Sequence, residues 1–204
     1  MKAVGTYAVM GALVAMTMAV PMSAESPVAL TVRVYNTSGI PAPELLAARR
    51  AFESVYRDTG LDVTFRHCGR PVSSEDPVDL CGESLKPLEV VVRIIDAPAF
   101  NTSLHPEAFG VAYLVRETDR GWLATVFSDR IGGAATRVGV EAGMLLGLVI
   151  AHEVAHLLLG SGYHGWTGVM RADWPDELLN HTGEQWHFSR PEAARMREAA
   201  SIRF

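Results

Sequence analysis

The stretch Leu148–Gly160 reads LVIAHEVAHLLLG, and it combines an apolar helix pattern with three ionisable side chains. On an α-helix four residues turn the chain by about 400°, so His152 and His156 lie roughly 40° apart on one face. Two histidines and Glu153 are costly to bury without a use, and they are also unfavourable inside a lipid-facing membrane span. The segment therefore predicts a core helix that carries a chemical site.

The spacing His-Glu-x-x-His is typical of a metal site on a helix. Both imidazoles, those of His152 and His156, can reach one zinc ion at about 2.0–2.1 Å. Glu153 lies beside them and can point at a metal-bound water as a general base. Gly160, directly after the last apolar residue, predicts the end of this helix.

The continuation SGYHGWTGVM, from Ser161 to Met170, resembles the metzincin branch of the HExxH zinc metallopeptidases (zincins). In that family a third histidine follows the glycine turn, and a methionine turn lies beneath the metal. The resemblance implies the ligands His152, His156 and His164, the base Glu153 and the Met-turn residue Met170. The family spacing is HExxHxxGxxH, and here the glycine and the third histidine both come later. Other candidates for the third ligand therefore stay open, namely Asp173, Glu177, His181, Glu184 and His187.

The resemblance implies a zinc metallopeptidase that hydrolyses peptide bonds of a peptide or protein substrate through a zinc-bound water activated by Glu153. The N-terminal pattern described below makes it a secreted one. Two alternatives remain: a zinc amidase that acts on cell-wall peptides, and a zinc-binding domain without turnover. Zinc binding alone does not need Glu153, which disfavours the second alternative. In zincins an edge strand holds the extended substrate, but the sequence does not identify the edge. Tyr163 is interpreted as capping its loop rather than as an oxyanion donor.

The N-terminus has the pattern of a secretory signal peptide. Lys2 precedes the uncharged segment Ala3–Met22, and small residues end it. We predict a signal peptide at 1–24, a metallopeptidase-like catalytic domain at 25–204 and a secreted or periplasmic location; a retained membrane anchor is the alternative. The net charge of −5 disfavours a nucleic-acid partner, and no further membrane span is predicted in the mature chain. The oligomeric state is not predicted.

The chain has two cysteines, Cys68 and Cys81, whose spacing does not fit a CxxC redox or metal pair. An exported protein meets an oxidising compartment, so we predict a disulfide between them. The bond would clasp a segment rich in Pro, Ser, Asp and Glu that cannot build a core of its own.

The order of strands and helices along the chain predicts a single α+β domain with a C-terminal helix. The resemblance to zincins implies that this domain is zincin-like, with a mixed β-sheet packed on the active-site helix. The sequence 189–192, Ser-Arg-Pro-Glu, has the form of a capping box that begins the last helix. His67 and His105 are interpreted as loop histidines. The predicted strands cover 29–35, 61–65, 90–95, 111–115 and 122–127, and the predicted helices begin at Pro41, within the apolar block 138–159, at Pro175 and at Arg190.

Overall fold

A computed structural model describes residues 28–69, 81–97, 108–160, 162–180, 183 and 185–202. The predicted signal peptide at 1–24 lies outside the described residues. Two candidates for the third ligand, His181 and Glu184, also lie outside them, as does His105, which is interpreted as a loop histidine.

Within the described residues, five strands form one mixed sheet in the order β2-β1-β3-β5-β4. Neighbouring strands are parallel, except that β4 runs antiparallel to β5. In this part of the chain β2 and β4 are the edges of the sheet. The strands are β1 (Val28–Asn36), β2 (Leu61–Cys68), β3 (Glu89–Ile95), β4 (Gly110–Val115) and β5 (Arg120–Phe127), and the helices are α1 (Ala42–Tyr56), α2 (Ser128–Val138), α3 (Ala142–Leu159), α4 (Asp176–Leu179) and α5 (Arg190–Ser201).

The core lies between the sheet and the pair of helices α1 and α3. Alternate β-branched and leucine side chains of β1 and β3 are completely buried there, as the period of a strand requires. The backbones of α1 and α3 approach closely because α3 has glycines at the contact. A Cβ on Gly147 would lie 2.2 Å from the Ala48 carbonyl oxygen, and one on Gly143 would lie 2.5 Å from that of Glu44.

The predicted α+β class is confirmed, with a mixed sheet packed on the helix that carries the histidine pair and a C-terminal helix. The predicted elements leave residues 128–137, between the last strand and the apolar block 138–159, without a helix. Helix α2 intervenes and ends at Gly139, which is left-handed with φ +75°. The pattern of α2 was missed because Gly132 and Gly133 weaken its helix propensity and only three of its residues are buried hydrophobics.

Helix α3 is also long and apolar enough to cross a membrane by composition alone. In the folded chain 78% of its 18-residue window is buried inside the protein. Burial of this kind is typical of a core helix, and it is achieved by α1 on one side and by the sheet on another.

The predicted disulfide between Cys68 and Cys81 is confirmed. The chain after Cys81 lies on the face of the sheet opposite the two helices. There the hydroxyl of Tyr35 donates to the Cys81 carbonyl at 3.0 Å, and the Arg33 guanidinium donates to the Glu83 carbonyl at 2.7 Å. The disulfide thus fastens this covering segment to the end of β2.

Replacing Cys68 and Cys81 together by serine should lower the free energy of unfolding by about 2–4 kcal/mol, because the unfolded chain regains the freedom of the closed loop. Denaturant unfolding of the oxidised protein and of the double variant measures the difference. Reductant should destabilise the parent protein by the same amount and leave the double variant unchanged. Equal unfolding free energies in the oxidised parent and the variant would contradict a stabilising role for the bond.

Candidate metal centre

The C-terminal half of α3 carries three of the predicted site residues, His152, Glu153 and His156, and Gly160 caps the end of the helix. The backbone N–H of Gly160 donates to the His156 carbonyl at 3.0 Å, and its φ of +96° takes the chain out of the helix. A Cβ at this position would lie 2.4 Å from Oδ2 of Asp119, in the turn between β4 and β5. Both the conformation and the close contact therefore require glycine where the helix stops.

Three histidines, two on α3 and one beyond this stop, converge near the end of the helix. One ring nitrogen from each of His152, His156 and His164 lies within 4.8 Å of the other two. The Nε2 atoms of His152 and His156 are 3.0 Å apart. Two ligands of one tetrahedral ion, each at about 2.0–2.1 Å, stand about 3.3 Å apart, so the donor set fits such a metal ion.

The ring of His152 is held by the segment that follows the third histidine. Its Nδ1–H donates to the Val169 carbonyl at 2.8 Å, which leaves Nε2 as the lone-pair nitrogen that faces the cluster. Met170 comes next and is fully buried, and its carbonyl accepts from the Gly165 N–H at 2.7 Å. The predicted Met-turn residue is thus part of the packed support of the site, while its role beneath a metal stays a prediction.

The electrostatic environment keeps the two helix histidines neutral. Burial is the largest cause that lowers the pKa of His152 to about 3, and the nearby His156 lowers it further. The hydrogen bond to the Val169 carbonyl opposes this shift. Burial and the neighbouring His164 likewise lower the pKa of His156 to about 4. Neutral imidazoles are the form that binds a metal, so no proton has to be displaced at neutral pH.

Glu153 lies beside the histidines at the base of the cleft with 6% of its surface exposed. Burial raises the pKa of its carboxyl group to about 8, so the metal-free site holds it protonated at neutral pH. A cation bound nearby favours the ionised form. The carboxyl lies against Gly110, the first residue of β4, where a Cβ would be 2.7 Å from both Cγ and Oε1 of Glu153.

Gly110→Ala should displace the Glu153 carboxyl group. If Glu153 acts in catalysis, as proposed below, a displacement near 1 Å should reduce turnover by about 10²-fold. Metal content should stay unchanged, because the three atoms nearest to the added Cβ all belong to Glu153 and none to the histidines. Steady-state kinetics and metal analysis of the purified variant check this. Gly132→Ala is the matched control, since a Cβ there meets nothing within 4 Å.

A cleft of about 560 Å³ opens above the histidines. One wall is edge strand β4, and the other is the chain that follows Met170. Trp174 in that second wall stands edge-on to His152, with ring centroids 5.6 Å apart, and packs on Trp186 at 4.8 Å. The lining residues outside α3 are Ala108, Phe109, Gly110, Val111, Ala112, Leu114, Gly162, His164, Arg171, Ala172, Asp173 and Trp174.

Among the described residues, the structure brings His164 to the helix pair and leaves the other candidates outside the cluster. Asp173 lines the cleft, and Glu177 and His187 are exposed elsewhere. The interpretation of His67 as a loop histidine is wrong: it lies in β2 and is buried. The strand directly before the helices, β5, is an interior strand, and the edge beside the site is β4.

Sequence reasoning missed Gly110 and Trp174 as parts of the site. Gly110 carries no local signal, because its importance arises from a side chain far along the chain that passes within contact distance. Trp174 comes four residues after Met170, and a large aromatic residue so close in sequence to the candidate site could have been predicted to line it.

No protein-family model matches this chain, and no curated protein matches it. Among solved structures, a zinc-dependent peptidase from Methanocorpusculum labreanum (strain Z) superposes with a TM-score of 0.49 at 14% sequence identity, over 81% of this chain and 99% of that chain. The fold and the histidine cluster described above identify the chain as an α+β domain with a candidate three-histidine metal centre at the end of a buried helix.

Proposed function

We propose that this chain is an exported zinc-dependent peptidase. The observation that carries the proposal is the convergence of three histidine nitrogens within 4.8 Å, with the buried carboxyl group of Glu153 one residue from the first of them. A site that only binds zinc has no need for a buried glutamate in the wall of an open cleft.

The donor set supports zinc. Imidazole suits this ion, and three protein ligands leave a fourth position open, as in catalytic rather than structural zinc sites. Zinc, when bound, supplies a Lewis acid that lowers the pKa of water at the open position and polarises a substrate carbonyl.

Glu153 would then act as the proton carrier. Its carboxylate accepts a proton from the attacking water and returns it to the leaving amine. The carboxyl group lies against Gly110 and lines the cleft, where both transfers would take place. The products of this sequence are a carboxylate and an amine, which is the outcome of peptide-bond hydrolysis.

Edge strand β4 supports an extended polypeptide as the substrate. It forms one wall of the cleft, and only one of its two sides pairs with a described strand. An extended peptide can add to the other side as a further strand. A substrate bound in this way passes directly above Glu153 and the histidines.

The Cys68–Cys81 disulfide supports a secreted or periplasmic location, since such bonds persist in oxidising compartments. The predicted signal peptide at 1–24 would deliver the chain there.

The direct test is to purify the exported protein, measure its zinc content and assay it on unstructured protein substrates and on cell-wall peptides. We expect one zinc per chain and cleavage of protein substrates that stops on chelation and returns with zinc. Cleavage of cell-wall peptides alone would favour the amidase alternative. Zinc without hydrolysis of either class would leave a binding domain, and absence of zinc would refute the proposal.

A further inference from the structure

The third histidine is the part of the site that most needs external support. His164 lies after the end of α3 on an exposed loop, and glycines at 160, 162, 165 and 168 accompany it. Glycine leaves the backbone unusually free in the unfolded and loosely held states. A ligand on such a segment stays in place only if other contacts fix its neighbours.

The buried carboxyl group of Glu192, in the first turn of α5, contacts both neighbours of His164. Its Oε1 accepts the hydroxyl proton of Tyr163 at 3.2 Å. The same oxygen lies against Gly165, where a Cβ would be 2.6 Å away. Its other oxygen, Oε2, accepts from the Ser189 backbone N–H at 2.7 Å, as part of the capping box of α5.

The helix that carries Glu192 is itself firmly attached to the core. Met196 is completely buried, and Arg197 donates to the Thr59 carbonyl in the turn after α1. Arg195 lies over the Tyr163 ring, 5.1 Å from its centroid. The tyrosine is thus held between the side chains of α5, outside the cleft lining.

We propose that Glu192 is a positioning residue for the metal site. Through the Tyr163 hydroxyl and the backbone at Gly165 it holds the third ligand, His164, at the distance that the two helix histidines require. The inference rests on the proposed zinc site. The positioning role accounts for the burial of the Glu192 side chain, which is 1% exposed. It also means that full zinc affinity requires α5 to be packed against the core.

The test uses Tyr163→Phe, which removes the hydroxyl contact and leaves the capping box intact. Zinc affinity is measured by competition with a chelator, and the visible spectrum of the Co²⁺-loaded protein reports the coordination geometry. We expect the zinc dissociation constant to rise on the order of 10-fold, the lower end of losses seen for outer-shell partners, with an altered Co²⁺ spectrum. Gly165→Ala, which places a methyl group against the same carboxylate, should act in the same direction.

Ser189→Ala is the matched control, because it removes the bond to the Glu192 backbone N–H and leaves the Tyr163 contact. It should lower the melting temperature of the metal-free protein without changing the zinc dissociation constant. Equal losses of affinity in Ser189→Ala and Tyr163→Phe, or an unchanged affinity in Tyr163→Phe and Gly165→Ala, would overturn the positioning role while the parent protein still binds zinc. A parent protein that binds no zinc would overturn the proposed function and this inference together.

Discussion

Glu153→Gln should retain zinc and lose peptide hydrolysis by about 10²–10⁴-fold, because glutamine keeps the size of the side chain but cannot accept the proton. The fold should tolerate the change. Burial raises the pKa of Glu153 to about 8, so the metal-free protein already holds an uncharged group there at neutral pH. Metal analysis together with kcat and KM on a peptide substrate measures both halves of the expectation.

Glu53→Gln is a suitable control for this experiment, since Glu53 is an exposed residue of α1 outside the cleft lining. It should leave zinc content and turnover unchanged. Undiminished hydrolysis by Glu153→Gln would remove the residue from the mechanism, and loss of zinc from that variant would indicate a structural rather than a catalytic effect.

His152→Ala, His156→Ala and His164→Ala should each abolish stable zinc binding, and hydrolysis should fall to background with it. Each change removes one of three protein donors. We therefore expect losses of affinity larger than the roughly 10–100-fold that follows removal of an outer-shell partner. Zinc content after dialysis and chelator competition measure the effect in each variant.

His187→Ala serves as the control, because His187 is exposed and stands outside the histidine cluster. It should bind zinc as the parent does. Full zinc occupancy in His164→Ala would assign the third ligand elsewhere, and Asp173, which lines the same cleft, would be the next candidate.

Features encoded over a few consecutive residues were predicted well from the sequence. The period of the apolar residues around His152 and Glu153 predicts the helix and the face that the two histidines share, because helix geometry relates positions four residues apart. Strict alternation in β1 predicts a strand because successive side chains of a strand point to opposite faces. The continuous β-branched run in β3 is typical of a central strand. The disulfide was also predictable, since the chain has two cysteines and its N-terminal pattern predicts a signal peptide and hence export.

Local signals were too weak where the tertiary structure supplies most of the stability. Helix α2 contains paired glycines and few apolar residues, and it forms because Ile131, Ala134 and Ala135 are buried against the rest of the chain. The sequence also did not show which strand borders the cleft, because either of the two neighbouring segments, β4 or β5, could have formed the edge of the sheet. Hydrogen-bond pairing of β5 with β3 leaves β4 outermost.

The sequence by itself determined the helix, the histidine pair with its adjacent glutamate, and the disulfide, because each depends on spacing within a short segment. The family resemblance implied His164 as the third ligand and left later residues open, and the tertiary structure brings His164, among the described candidates, to the pair. It also decided that Glu153 lies against Gly110 and that Glu192, 29 residues after Tyr163, accepts a hydrogen bond from the Tyr163 hydroxyl. These contacts join distant parts of the chain, and only the packing of β4 and α5 around the end of α3 brings them within reach.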